Sequence, residues 1–390
     1  MSKVLEVLEV LDVLEGLPVP LSTSSTQSTL STLASIARRR LASQHLIAPT
    51  LSDPAEVVRV FGAVQAQDYG GAKWALGMRT RGATDGSIER AFADGSILRT
   101  HVLRPTWHFV VPADIRWMLA LTGPRVKATM AYYDRKLELD DALFRRSNDA
   151  IVRALRDGKQ LTRSEIARVL GRAGVNITES QRLGHLLLRP ELDGIICSGP
   201  RRGKQFTYAL LDERVPHVPP KSRDESLLEL TRRYFTTRGP ATANDFAWWS
   251  GLTVTDARRG IELAGTALER EVIDDRVYWS DPAVPARSWR APKVFLLPNY
   301  DELFIGHKDR SAIGERLASA HLVTGGNALI AHVIAVDGQL VGGWKRTLTK
   351  DSVTIEVRVP IRLSPPERRA LDAAVKQHGE FLGVPATVRR

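Results

Sequence analysis

Two glutamines separated by one alanine, Gln65-Ala66-Gln67, are the residues of this chain whose type and spacing could do chemistry together. On a helix, at about 100° per residue, positions two apart diverge. On extended backbone both side chains leave the same side. A side-chain amide is too weak a base to take a proton, yet it both donates and accepts hydrogen bonds, so two amides on one side can fix a single water molecule. Asp53-Pro54 opens a helix just upstream, with Val57, Val58 and Phe61 on its core side. Gly70-Gly71 argues that this helix ends near the glutamines. Taken as a bare pattern, the tripeptide is also what an ordinary polar surface looks like.

Other chemistries lack their residues. The chain has no G-x-S-x-G, no H-E-x-x-H and no C-x-x-C. Its one cysteine, Cys197, leaves neither an intramolecular disulfide nor a multi-cysteine zinc site. No metal and no cofactor is expected. Gly199 to Lys204 resembles a phosphate loop only superficially, because its glycine spacing is short and Gln205 stands where Ser or Thr is needed. A basic turn is the better reading, with Arg201, Arg202 and Lys204 either facing phosphates or simply solvated.

The elements that must carry these residues follow a repeated order. Asn148 to Arg156 has helical periodicity. Thr162, three residues before Glu165, opens a second helix as a capping box, and Thr178 opens a third that Pro190 ends. Strands at Ile195 to Ser198 and Gln205 to Leu211 flank the basic turn. Three helices followed by a hairpin is the order of a winged helix. It recurs downstream with a helix from Glu225, a second from Thr242, a third from Thr253, and a hairpin turned by Asp274-Asp275; a plain helical bundle with incidental hairpins is the alternative. A divergent third copy is expected in the N-terminal third. From Lys293 onward the pattern changes to strands. Asp337-Gly338 turns a hairpin, Ser352 to Val359 adds a third strand, and a helix spans Ser364 to Phe381.

The expected architecture is α+β: three tandem winged-helix units and a small C-terminal β-barrel. The boundaries are 1–32 for an N-terminal extension with a Ser/Thr-rich linker, 33–140, 141–218 and 219–290 for the three units, and 291–390 for the barrel-like domain.

Several segments together resemble the AlkZ/YcaQ family of bacterial DNA glycosylases. They are Gln65-Ala66-Gln67, then Leu103-Arg104-Pro105-Thr106-Trp107-His108, then Leu296 to Glu302 with His307-Lys308-Asp309-Arg310, and Asp337-Gly338 through Trp344-Lys345-Arg346. The resemblance spans about residues 33–385 and implies tandem winged helices plus a β-barrel around a DNA channel. It assigns Gln65 and Gln67 as the catalytic pair of the AlkZ-like branch. Asp68 is displaced by one position from the acidic residue of the other branch. By resemblance, the activity is monofunctional hydrolysis of the N-glycosidic bond of cationic N7- or N3-alkylpurines, extending in this branch to bulky adducts and interstrand crosslinks, in some members as antibiotic self-resistance. No lysine lies in the motif, so neither a Schiff base nor strand cleavage is expected.

His307, Lys308 and Arg310 are expected to face DNA, with an Asp309–Arg310 pair holding the loop as the alternative. His108 and Trp248 read as core residues. Tyr132 and Tyr133 are equally consistent with surface stacking and with filling.

Composition fits a polyanionic partner. The 390 residues contain 55 Lys plus Arg against 44 Asp plus Glu, a formal excess of +11. No apolar run approaches the ~20 residues of a membrane helix. A monomer on damaged double-stranded DNA in the cytoplasm, at the nucleoid, is the expectation. A non-enzymatic winged-helix regulator is the rival class.

Overall fold

The computed structural model describes residues 26–178, 180–284, 289–318 and 332–390. The extension expected at 1–32 lies mostly outside these. Its last residues are helical, because α1 runs Thr26–Ser43 and takes in the described part of the expected linker. The side of α1 that carries Ile36, Ala37 and Leu41 is buried, which is what holds a Ser/Thr-rich start in a helix.

α2 (Pro54–Phe61) starts on the Asp53 cap and ends at Gly62. β1 (Val64–Gln65) follows at once, so the first glutamine of the motif lies on a strand and Gln67 in the bend just after it. α3 (Tyr69–Arg79) begins directly after it, capped by Asp68, whose carboxylate accepts from the Gly71 N–H. The two glycines thus sit in the first turn of a new helix rather than in a loop. Close approach explains them: a side chain at Gly71 would meet Pro298 and the Asp68 carboxylate. α4 (Asp85–Asp94), β2 (Leu98–His101) and β3 (Trp107–Val110) complete this region. The sheet order is β1-β3-β2, with Gln65 opposite His108 and His108 opposite Thr100.

α5 (Pro112–Lys136), a 25-residue helix that periodicity alone did not single out, crosses to the next region. There α6 (Asp141–Leu155), β4 (Leu161–Thr162), α7 (Arg163–Arg172), α8 (Ser180–Leu192), β5 (Ile196–Arg202) and β6 (Gln205–Leu210) pack around Leu155, Ile166, Leu170 and Leu186. The Thr162–Glu165 capping box is present. α8 does not stop at Pro190; the proline is taken into its last turn. The basic segment is mostly strand, since β5 runs on through Arg201 and Arg202.

α9 (Leu211–Arg214) leads to α10 (Arg223–Arg238), α11 (Ala243–Ser250), α12 (Val254–Ala264), β7 (Glu269–Ile273) and β8 (Arg276–Ser280). Asp274 and Asp275 turn the hairpin with positive φ.

The C-terminal region holds β9 (Val294–Leu297), α13 (Glu302–Ile305), α14 (Ser311–Ala318), β10 (Val333–Val336), β11 (Gln339–Leu348), β12 (Val353–Arg358), α15 (Pro365–Leu382) and β13 (Ala386–Arg389). Its strands form an open sheet in the order β13-β12-β11-β10-β9, not the expected barrel. The parallel β12–β13 pair at one edge and β9 at the other are not joined; α15 packs on the sheet and fills the space that closure would take.

The cores do not respect the expected boundaries. Val57, Phe61, Val64 and Phe109 share one core with Leu296, Val341, Ile355 and Phe381. Ala63, Leu98 and Val110 belong to another with Leu230, Phe235, Phe246 and Trp249. β1 is therefore clamped between two apolar layers, one on each side of its sheet.

Gly251 links the fold to the motif. It ends α11 in the left-handed region, φ 70°, and a Cβ there would fall inside contact distance of the Leu103 carbonyl oxygen. Gly251→Ala should lower stability by roughly 2 kcal/mol or more, from the left-handed penalty plus the displaced loop. Chemical denaturation measures this, and an unchanged midpoint would contradict the packing described.

Candidate active site

Both glutamine amides lean toward the loop joining β2 and β3. Arg104 donates from its guanidinium to Gln65 Oε1 at 2.8 Å. The Trp107 backbone N–H donates to Gln67 Oε1 at 3.3 Å. Both partners can only donate, which fixes the oxygen end of each amide and turns both NH2 groups the other way. Among the described residues, neither NH2 group finds an acceptor. Gln65 is 5% exposed and Gln67 half-buried, so the pair descends from an accessible amide to a sheltered one. Ala66 between them faces the opposite core and donates its N–H to the Trp107 carbonyl.

The backbone of Gln65 is held from below. Its N–H donates to Glu302 Oε1 at 2.8 Å, and Glu302 is fully buried. The other carboxylate oxygen accepts from Arg238 at 2.6 and 3.0 Å and from the Trp249 indole N–H at 3.0 Å. Arg238, itself fully buried, also donates to the carbonyls of Phe61 and Ala63, immediately before β1. Beside it Asp301 takes a two-pronged contact from Arg79, at 2.8 and 2.9 Å. Glu302, Asp301, Arg238 and Arg104 are positioning residues that reasoning from sequence did not assign. Arg104, Asp301 and Glu302 lie in segments that carry the family resemblance, while nothing local marked Arg238.

Arg104 stands over the Trp248 ring at 5.7 Å, and Arg310 reaches the same ring at 5.9 Å. Burial draws the Arg104 guanidinium down to about 10, so it stays charged at neutral pH. Trp248 is half-buried against these cations, whereas Trp249 is the core residue; the expected core role belongs to the neighbour. Another cationic column runs beside Gln67. Arg99 lies over Trp107 at 4.3 Å and Phe206 at 4.5 Å, and donates to the Ala66 carbonyl.

The residues expected to face DNA divide. His307 does not: it is fully buried, its Nε2 bonds the Arg238 carbonyl, and burial pushes its pKa well below the usual value. It braces the same network as Glu302. Lys308 is exposed, with its backbone N–H on Asp245. Arg310 is half-buried and donates to the Phe304 carbonyl. Asp309 pairs with Arg276 rather than with Arg310. Arg201 is bound to Glu89 and stacks on Tyr69, and Arg202 is bound to Glu165. Lys204 is exposed at the turn. Tyr132 is exposed and Tyr133 partly buried.

The sequence model of the AlkZ-like family, described as DNA glycosylase AlkZ-like, matches residues 58–381. The chain belongs to that family. It is a DNA glycosylase. An interstrand DNA cross-link repair glycosylase from Streptomyces sahachiroi is 26% identical over 325 residues, covering 78% of this chain and 85% of the relative. The solved structure of the Streptomyces sahachiroi DNA glycosylase AlkZ has the same fold, with a TM-score of 0.72 at 22% identity, over 91% of this chain and 99% of the other. No helix among the described residues of the glycosylase is long and apolar enough to cross a membrane.

Two measurements test this geometry. Glu302→Gln keeps the shape but replaces one acceptor oxygen by a donor facing other donors, with Arg238 left uncompensated. A loss of about 3–5 kcal/mol is expected on breaking such a buried pair, and a wild-type unfolding midpoint would refute it. The second concerns pH. Burial holds His108 and His307 well below the usual histidine pKa and His378 at about 3. Folded, they stay neutral; unfolded, they take up protons below about pH 6.5. The unfolded state then binds more protons, so their stabilising share is present above pH 6.5 and is lost on acidification. The slope should approach about 1.4 kcal/mol per pH unit for each histidine. Stability flat between pH 6.5 and 5 would overturn the assignment.

Proposed function

We propose that this glycosylase hydrolyses the bond between C1′ and N9 of cationic N7- or N3-alkylated purines in double-stranded DNA, with Gln65 and Gln67 positioning the attacking water. The observation that carries the reading is the pair of amides at the end of β1 and in the bend after it, with their oxygen ends fixed by Arg104 and by the Trp107 N–H. Alkylation already makes the base a good leaving group, so no strong general acid is needed. The water oxygen bonds to C1′, the C1′–N9 electron pair leaves with the purine and neutralises its charge, and the surplus proton goes to solvent. The transition state resembles an oxocarbenium ion, as in glycoside hydrolysis. What remains for the protein is positioning and electrostatics.

Asp68 is no substitute base, because its carboxylate caps α3. Bulky adducts and interstrand crosslinks belong to the proposed substrate range, supported by the name of the Streptomyces sahachiroi relative. The helix and hairpin orders at 141–218 and 219–290 support reading both as winged-helix units on DNA, with 33–140 as a divergent copy and 291–390 as a sheet domain packed on it. Lys204 and Lys308, both exposed, are the proposed phosphate contacts. Arg201, Arg202 and Arg310 would serve only by exchanging their present partners. The protein acts as a monomer at the nucleoid on this reading.

The test is base release from N7-methylguanine duplex DNA under single-turnover conditions. Gln65→Ala with Gln67→Ala should slow release by about 100-fold or more while DNA affinity stays within a few-fold. Undiminished release by the double variant would make both glutamines structural amides and end the proposal.

A further inference from the structure

The side of the sheet that carries Gln65 is not uniformly apolar. Antiparallel pairing puts directly opposed residues on one face, so Gln65, His108 and Thr100 form a row across β1, β3 and β2. The neighbouring row toward the interior, with Leu98 opposite Val110, is wholly apolar and packs against α5, α10 and α11. The polar row is no less enclosed, since Thr100 and His108 are both fully buried. Three of its buried polar atoms have no hydrogen-bond partner among the described residues: Thr100 Oγ1, His108 Nε2 and, on the adjoining loop, Thr106 Oγ1.

Buried hydroxyls and imidazoles are ordinarily satisfied, and several orphaned atoms on one side of a sheet are a specific arrangement. Their valences are complementary. His108 Nδ1 donates to the Thr106 carbonyl at 2.9 Å, which fixes the tautomer and leaves Nε2 as a bare acceptor. Each hydroxyl can donate or accept. The NH2 group of Gln65 has no protein partner among the described residues and, unlike these three atoms, is not sealed from solvent, so it stands at the mouth of the row. Arg104, Arg238 and His101 face the ring as charged or ionisable neighbours, and the two arginines disfavour an imidazolium there.

We propose that Thr100, Thr106 and His108 form a buried water-binding pocket behind Gln65, and that His108 is a positioning residue holding the Gln65 amide through that water. The bound water accepts from Gln65 Nε2 and donates to His108 Nε2, with a threonine hydroxyl completing its coordination; such a water needs two to four polar partners in a polar site. Gln65 is then restrained at both ends of its amide, by Arg104 at the oxygen and by the pocket at the nitrogen. The water is structural and is not the attacking one.

The inference rests on the proposed role of Gln65, and the experiment separates the two. His108→Asn keeps a donor near Nδ1 for the Thr106 carbonyl but loses the acceptor at Nε2. His108→Gln places an acceptor oxygen near the Nε2 position. Thr100→Val removes the hydroxyl and keeps the shape. Single-turnover release from N7-methylguanine DNA should fall by up to about 100-fold in H108N, be largely recovered in H108Q, and fall severalfold in T100V, with DNA affinity unchanged in all three. The rate of the wild type should show no histidine titration between pH 5.5 and 8. Equal impairment of H108N and H108Q, or wild-type rates in H108N and T100V, overturns the pocket. So does a rate that titrates near pH 6.5 in the wild type and not in H108Q. If H108N does not fold, T100V decides alone. Failure of the glutamine double variant to lose activity removes the functional reading itself, a different outcome from any of these.

Discussion

The arrangement depends on one buried carboxylate. Glu302 has no exposed surface, and its two oxygens take four donated hydrogen bonds from three segments: the Gln65 N–H, the Arg238 guanidinium twice, and the Trp249 indole. An ion this deep is tolerated only when paired and saturated. That requirement is geometric as much as energetic. The end of α10, the second tryptophan of α11 and the first residue of the motif must converge on one short helix or leave a charge stranded. Arg238 extends the constraint by capping the carbonyls of Phe61 and Ala63 and offering its own carbonyl to His307. The strand that carries the amides is thus aimed by residues more than 170 positions away in sequence.

A second acid beside it acts on the other side. Asp301 receives Arg79 from the end of α3, and Arg79 also donates to Gln44 just past α1. The end of α1 and the helix after the motif are therefore both tied to the turn that holds Glu302. Replacing such charge networks with apolar residues often leaves stability unchanged or raises it, so net stabilisation is a poor account of them. Specifying where β1 lies between its two apolar layers is a better one.

What was legible in the sequence follows from what is local. The Thr162–Glu165 box and the Asp274-Asp275 and Asp337-Gly338 turns are written in adjacent residues. The failures all needed a distant partner. Gly70-Gly71 marked the end of the helix from Pro54 correctly, but that they open a new helix, with Gly71 close against Pro298, depends on a residue far away in sequence. His307 read as a basic residue for DNA because nothing local shows that Arg238 sits behind it. Of two adjacent tryptophans, which one faces Glu302 depends on the docking of α11 and not on its own period. The barrel was inferred from hairpins, but hairpins do not reveal whether the edges meet, and α15 lies on the sheet instead.

A site built on amides demands more rigidity than one built on a base. A carboxylate or imidazole gains part of its rate effect from proton affinity and tolerates some looseness; a neutral amide contributes only where it points. Its surroundings here are cationic, with Arg104 on Gln65 and Arg99 on the Ala66 carbonyl. Those charges oppose positive charge building on a sugar, so on the proposed mechanism they must be held out of the reaction. Each is anchored accordingly, Arg104 between Gln65 and the Trp248 face and Arg99 between two aromatic rings. On the proposed mechanism Glu302, whose carboxylate holds the Gln65 backbone, is kept from the sugar by its own saturation. It can offset the arginines electrostatically without competing for the carbon that water must reach.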